Sequence, residues 1–279
     1  MTQRPRFRDP RLDERFDEIG YVVVPDAGRR SLRALRRLHR QVVGTTPPGF
    51  HSTMYSTDGV AKERVNGELT GLLRPLLDDL FADHRPLLSS FVAKGRGDGG
   101  AMPPHQDWTF VDEPAYASMN VWIPLVDVDG RNGAMQVLPR AHRLPLTIRG
   151  TDTANPFAAI ENLVAERMIS LEMCAGDVLV HDHRVLHGSP PNTSRRQRVV
   201  AGCAVVHPAA RILHFRQAGM CLERYDVEDR FFTDHTYGNA AFPPSARRAA
   251  TIDFTNPTFL ADDLVEVLGE VLGVGDADR

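Results

Sequence analysis

The sequence predicts a mainly β protein with flanking helices, of the sandwich or barrel type. Three observations point there. From Leu87 to about Phe215 the chain reads as short apolar and β-branched runs separated by turn residues. Those runs do not alternate with long helical patterns, as a parallel α/β sheet requires. Segments with helical periodicity lie before this stretch and after it.

Taken in order, Tyr21-Val22-Val23-Val24-Pro25 is a β-branched run closed by a proline, hence a short strand. Residues 29–43 place Leu32, Leu35, Leu38 and Val42 near helical spacing, with arginines on the other side. The leucine spacing accounts for that arginine run as a solvated helix face. Residues 68–81 form a second leucine-rich helix, in which Pro75 is read as a kink or as the true start. Strands are expected at 88–94, 117–125, 134–138, 168–173, 177–180 and 199–206, with the glycine cluster 95–100 among the breaks. Residues 151–166 interrupt the strands as a helix-bearing insertion or lid, and 259–272 form a tail helix. With no repeat, low-complexity tract or linker, the 279 residues are expected to form a single domain, its β core at about 87–215.

Composition narrows the function classes. Apolar residues make up 42% and charged residues 25%, an ordinary globular balance, and a net charge of -3 gives no basis for binding nucleic acid or an acidic membrane surface. The apolar runs are too short to span a bilayer, and the N-terminus is charged and lacks the apolar core of a secretory signal. Three cysteines, Cys174, Cys203 and Cys221, are an odd number without metal spacing and are expected as free thiols in a reducing cytoplasm.

Two constellations carry chemistry. In Pro103-Pro104-His105-Gln106-Asp107-Trp108, residues two apart on a strand share a face, so an imidazole and a carboxylate can meet one metal ion. Alone this is a weak signal. Gly176-Asp177 and the strand Val178–Val180 then lead to His181, His183 and His187, three histidines within seven residues. One histidine from this distant segment would complete a two-histidine, one-carboxylate face, the arrangement of non-haem iron(II) oxygenases, which leaves positions open for a cosubstrate and dioxygen. His187 precedes the turn residues Gly188-Ser189; His181 and His183 are also two apart and form a competing ligand pair. Arg198 stands directly before the apolar run 199–206, where a guanidinium can clamp a carboxylate bidentately.

The order His105-x-Asp107, Asn132-Gly133-Ala134-Met135-Gln136-Val137-Leu138-Pro139-Arg140-Ala141-His142-Arg143, Gly176-Asp177, and His187-Gly188-Ser189 with Asn192 and Arg198 resembles the phytanoyl-CoA dioxygenase-like oxygenases. The likeness covers roughly residues 91–206, with a weaker match at 16–25. It implies a double-stranded β-helix, a cupin-like jelly-roll of two sheets. By the family pattern His105, Asp107 and His187 bind Fe(II). Arg198 pairs with the distal carboxylate of the cosubstrate 2-oxoglutarate, and Ser189 donates a hydrogen bond to it. Trp122 lines the cosubstrate pocket, with Asn120 two residues away on the same face. His181 and His183 become pocket-wall or structural histidines, and His142 a turn residue packed on the core.

The resemblance implies decarboxylation of 2-oxoglutarate with O2 and oxidation of an unactivated C–H bond. Iron oxygenases of this kind that halogenate lack the carboxylate ligand, so Asp107 points to hydroxylation. The expected partner is a small-molecule substrate, with specialised metabolism one setting. Its identity stays open among acyl-CoA thioesters, amino acids, compatible solutes, carrier-bound intermediates and natural-product scaffolds. Arg96, Arg131, Arg143 and Arg149, which could meet an anionic group, are read as ordinary surface arginines. Two other classes stand beside the oxygenase: a cupin-like metal-dependent hydrolase or isomerase that does not use 2-oxoglutarate, and a metal-free jelly-roll binding module. The sequence does not bear on oligomeric state.

Overall fold

Period-two alternation of apolar residues builds the core of this protein. The computed structural model describes residues 5–97, 100–236 and 241–268. In chain order its elements are α1 (Pro10–Ile19), β1 (Tyr21–Val24), α2 (Arg29–Val42), β2 (Phe50–Ser52), a 3-10 turn (Thr53–Tyr55), α3 (Gly59–Leu80), β3 (Arg85–Lys94), β4 (Met102–His105), β5 (Ser118–Pro124) and β6 (Gln136–Val137). They continue with α4 (Glu161–Arg167), β7 (Ile169–Ser170), β8 (Val178–Asp182), β9 (His187–Ser189), β10 (Arg198–Val206), β11 (Leu213–Ala218), β12 (Cys221–Val227), α5 (Phe231–Asp234), β13 (Ala246–Ile252) and α6 (Ala261–Leu268).

Six antiparallel strands form one sheet in the order β1-β8-β5-β10-β3-β2, and four form a second in the order β4-β9-β6-β7. Together they make the double-stranded β-helix core, mainly β with helices at its flank. Along β10, Val199, Ala201, Cys203 and Val205 pack with Leu35 of α2 and Leu69, Leu73 and Leu77 of α3, so these helices cover the outer face of the large sheet. Val200 faces the other way, with Trp122, Leu179 and Val137, into the space between the sheets. By the same alternation Arg198 faces inward. Asn120 and Trp122 also share the inner face of β5, because Met119, Val121 and Ile123 belong to the outer cluster.

Several boundaries differ from the expected ones, each for a local reason. α3 begins at Gly59, nine residues before the leucine-rich stretch, because the Asp58 side chain caps it by accepting from the Ala61 N–H. Pro75 therefore lies inside the helix rather than at its start. Strands also continue beyond Phe215, where β11, β12 and β13 form a separate three-stranded sheet. The expected insertion does carry a helix, α4, but it is packed down: Phe157 stacks on Phe259 at 4.5 Å, and both lie in a cluster with Leu138, Leu186 and Val164. That cluster holds Leu264 of the tail helix α6 as well, whose expected continuation over 269–272 lies outside the described residues. Cys174, Cys203 and Cys221 are free thiols. None of the described helices is long and apolar enough to cross a membrane.

Candidate metal centre and adjoining pocket

β4 and β9 pair antiparallel, with His105 directly opposite His187. Direct pairing brings the imidazole centroids to 4.3 Å. Gly188 permits the approach, because a Cβ there would meet the Met102 carbonyl at 2.7 Å. Each ring is oriented by a carbonyl two residues back: His105 Nδ1 lies 2.8 Å from the Pro103 oxygen and His187 Nδ1 3.0 Å from the Val185 oxygen. A carbonyl only accepts, so both Nδ1 atoms carry the proton and both Nε2 lone pairs are left for another partner.

Asp107 completes the group. His187 Nε2 lies 3.8 Å from Asp107 Oδ1. One donor atom each from His105, Asp107 and His187 falls within 4.8 Å of the others, and the buried Asp107 Oδ2 accepts no hydrogen bond. The expectation that His105 and Asp107 sit on one strand is corrected, since β4 ends at His105. Asp107 is instead held by its own backbone. Its N–H donates to the His183 carbonyl at 3.0 Å, and its carbonyl accepts from Arg149 Nε at 2.8 Å. Arg149 in turn makes a bidentate pair with Glu113 at 2.6 and 2.8 Å, both side chains buried. Arg149 is thus a structural ion-pair partner and not a surface arginine, whereas Arg96, Arg131 and Arg143 are exposed.

The electrostatics suit a divalent cation. Burial, joined by the neighbouring His187, lowers the His105 pKa to about 4, so the ring is neutral at neutral pH. Burial acts to raise the Asp107 carboxyl, but His187, His183, His181 and His105 around it together hold it below the ordinary carboxylate range. Two neutral imidazoles and one carboxylate are the donor set expected for a non-haem ferrous site.

Arg198 lies at the start of β10 and is 2% exposed, with its guanidinium 5.4 Å from the Trp122 ring centroid. Its Nε and Nη1 have no hydrogen-bond partner. Burial lowers its pKa only to about 10, so it remains charged. A buried cation with unused donors calls for an anion. Asn120, Trp122, Ser189 and Arg198 line the same cavity, of about 160 Å³, as the three candidate metal ligands.

His181 and His183 are buried beside this group. His181 packs on His187 at 4.6 Å between centroids, its Nδ1 3.2 Å from the Asp182 carbonyl. His183 shares a 2.6 Å hydrogen bond with Ser118 Oγ and lies 3.9 Å from Asp107 Oδ2. His142 is away from the cavity, bonded to the Asp17 carbonyl at 3.1 Å. Lys94 was not anticipated. It pairs in register with Arg198, is fully buried, and donates to the carbonyls of Ser189, at 3.0 Å, and Pro190. Its one sequence signal is a lone cation ending the apolar run Phe91-Val92-Ala93.

Beside the jelly-roll core, a two-histidine, one-carboxylate cluster and a buried arginine line one cavity. The family model for phytanoyl-CoA dioxygenase (PhyH) matches residues 16–200, and the chain belongs to that family. Phytanoyl-CoA dioxygenase domain-containing protein 1 of Danio rerio is 32% identical over 123 residues, 41% of this chain and 42% of that protein. A phytanoyl-CoA dioxygenase of Arabidopsis thaliana is 29% identical over 119 residues, with the same shares. The match therefore spans about two fifths of these relatives' length. Among solved structures, the non-heme alpha ketoglutarate dependent carbocyclase SnoK from nogalamycin biosynthesis aligns with TM-score 0.54 at 20% identity, covering 73% of this chain and 86% of its own. The epimerase SnoN, in complex with Fe3+, alpha ketoglutarate and nogalamycin RO, aligns with TM-score 0.54 at 20% identity over 91% of this chain and 98% of its own. These two share the fold.

Two outcomes follow from the buried charges. Glu113→Ala leaves the Arg149 guanidinium without its carboxylate and is expected to lower the unfolding free energy by about 3–5 kcal/mol in urea titration. Separately, burial lowers the pKa of His183 to about 4 and of His214 to about 3. Below the ordinary histidine pKa of about 6.5 the unfolded chain takes up protons that the buried rings refuse. Metal-free protein should therefore lose stability steadily as pH falls from about 6.5 towards 4. Urea midpoints across that range check this, and a flat profile contradicts it.

Proposed function

We propose that this chain is an Fe(II)- and 2-oxoglutarate-dependent oxygenase that hydroxylates an unactivated C–H bond of a small molecule. The observation that carries the reading is one cavity holding both halves of the required chemistry. Two imidazole Nε2 lone pairs converge with an Asp107 oxygen at one side, and a buried, charged Arg198 with unused N–H groups stands at another. A cupin-like hydrolase or isomerase, or a binding module, has no need of the second half.

In this reading His105, Asp107 and His187 hold Fe(II). Arg198 binds the distal carboxylate of 2-oxoglutarate with Ser189 beside it, and Trp122 and Asn120 form the wall. Such a centre, with dioxygen, supplies oxidative decarboxylation of 2-oxoglutarate to succinate coupled to oxidation of a substrate C–H bond. The protein's part is to bind, aim and exclude water. Trp122 lies against the Arg198 guanidinium, which limits its hydration and strengthens its hold on a carboxylate. Lys94 fixes the chain at Ser189 and Pro190 and adds a second buried donor group behind Arg198. With Asp107 as a metal ligand, its carboxylate would take the position a halide needs, which favours hydroxylation over halogenation.

The test is an anaerobic titration with Fe(II) and 2-oxoglutarate, followed by exposure to oxygen and measurement of succinate. Alanine at His105, Asp107 or His187 is expected to reduce Fe(II) affinity and abolish succinate formation, while His181→Ala retains Fe(II) binding. Loss of iron in His181→Ala with retention in His187→Ala overturns the ligand assignment. Arg198→Ala is expected to weaken 2-oxoglutarate binding roughly 10- to 100-fold, the equivalent of losing charge-assisted hydrogen bonds, with Fe(II) affinity unchanged. Calorimetry on the variant decides this: parental 2-oxoglutarate affinity places the cosubstrate elsewhere.

A further inference from the structure

The cavity lining combines two charged groups with a set of apolar side chains. The charged groups are Asp107 and Arg198. The apolar side chains are those of Phe50 of β2, Met54 and Tyr55 of the 3-10 turn, Leu88 of β3, Met102 of β4 and Phe110. From these observations we infer that the substrate portion entering the cavity is an uncharged, ring-bearing apolar group, and not a carboxylate, a phosphate ester or a free amino acid. The inference rests on the oxygenase reading, because that reading commits both charged groups to other partners.

The charge argument is an inventory. Among the described residues that line the cavity, Arg198 is the one permanent cation and Asp107 the one carboxylate. In the oxygenase reading the metal and Arg198 are balanced by Asp107 and the two carboxylates of 2-oxoglutarate, so an anionic substrate group would be desolvated with no uncompensated cation to receive it. With Asp107 on the metal, a substrate ammonium would lose its hydration with no free carboxylate in return. Either burial is unfavourable by several kcal/mol, on the order given for unpaired buried ions. A neutral group meets neither cost.

The ring argument comes from the side-chain types. Phe50 and Tyr55 stand 6.4 Å apart between centroids with planes at 52°, offering a face and an edge. Phe110 is held edge-on against Phe232 at 5.2 Å, which fixes its orientation. Met54 and Met102 bring two thioethers, which adapt to flat surfaces and contact aromatic rings favourably. Tyr55 is 47% exposed, so the cavity opens to solvent there and polar substituents of a bound molecule can remain in water.

The experiment uses the full chain loaded with Co(II) and saturating 2-oxoglutarate, titrated by calorimetry with three probes: 2-naphthalenemethanol, 2-naphthoate and decanoyl-CoA. The neutral ring compound should bind at least about tenfold more tightly than naphthoate, which carries its charge into the cavity, and than decanoyl-CoA, which offers a neutral chain without a ring, a difference of about 1.4 kcal/mol. Met54→Arg places a cation at the mouth and should reverse the order of the two naphthalene probes. Equal or tighter binding of naphthoate or decanoyl-CoA by the parent protein overturns the inference, as does an absence of saturable binding by the neutral probe or an unchanged order in Met54→Arg. Repeating the naphthoate titration without 2-oxoglutarate separates this inference from the cosubstrate assignment. Omitting the cosubstrate leaves both Arg198 and positions on the metal available, so naphthoate should bind more tightly, and Arg198→Ala should remove the part of that gain owed to the arginine. If omission has no effect, the assignment of Arg198 fails, whatever the neutral probe does.

Discussion

The pairing of β4 with β9 is the constraint on which the site depends. In an antiparallel pair, directly opposed residues have no freedom to separate, so placing His105 opposite His187 makes their rings neighbours. The two rings are then oriented in the same way, each Nδ1 bonded to the carbonyl two residues back along its own strand. Local backbone geometry and one strand pairing thus aim both Nε2 atoms without help from any third side chain. Gly188 belongs to this arrangement, since any larger residue would push β9 against the Met102 carbonyl. β4 and β9 are only four and three residues long, so little else in these strands can compensate for a lost register.

Asp107 is not covered by that pairing, and the protein fixes it by other means. Its amide and its carbonyl are both engaged, by the His183 carbonyl and by Arg149. The carboxylate is left unencumbered, because the hydrogen bonds that position the residue use its backbone. The buried ions divide accordingly. Glu113 and Arg149 satisfy each other and serve as a brace. Arg198 is buried without a carboxylate partner, next to the ring of Trp122 and in register with Lys94. Burial and the neighbouring Arg198 charge lower the Lys94 pKa to about 7, so holding this lysine and a charged arginine on adjacent strands is costly for the fold in isolation. The cost is offset in the proposed function by a dicarboxylate cosubstrate.

How much of this was legible in the sequence depends on the range of the interaction. The spacing of His105 and Asp107, the Gly-Ser after His187 and the position of Arg198 before a long apolar strand are all local, and they led to the residues that the fold brings into one cavity. Asn120 and Trp122 were placed on one face by period two, as found. Period two does not by itself bring His105 and Asp107 together, because the strand stops at His105 and a tertiary brace supplies the rest. Arg149 could not be told from a surface arginine, since its partner Glu113 lies 36 residues away and nothing local marks the pair. Lys94 and the short strand β2 were missed for related reasons. A buried lysine has no periodic signature, and Phe50–Ser52 is a strand only because the edge of β3 pairs with it. The early start of α3 is a capping effect, and Asp58 was its available signal.

The contrast between a ligand set tied by strand register and an exposed rim bears on how one fold can support different reactions. The outer face of the large sheet is sealed by α1, α2 and α3 through a continuous apolar cluster, and the ligand end is tied by strand register. The mouth is built differently. β2 is a three-residue edge strand whose side chains are all partly exposed, and the 3-10 turn after it carries Met54 and Tyr55. Segments of this kind can change sequence without disturbing the core, because few buried contacts depend on them. On the proposed function, substrate contacts made by Met54 and Tyr55 are separable from the proposed metal and cosubstrate residues. On the proposed function, the ligand set would supply the chemistry, and side chains at the cavity mouth would help decide which carbon is presented to it.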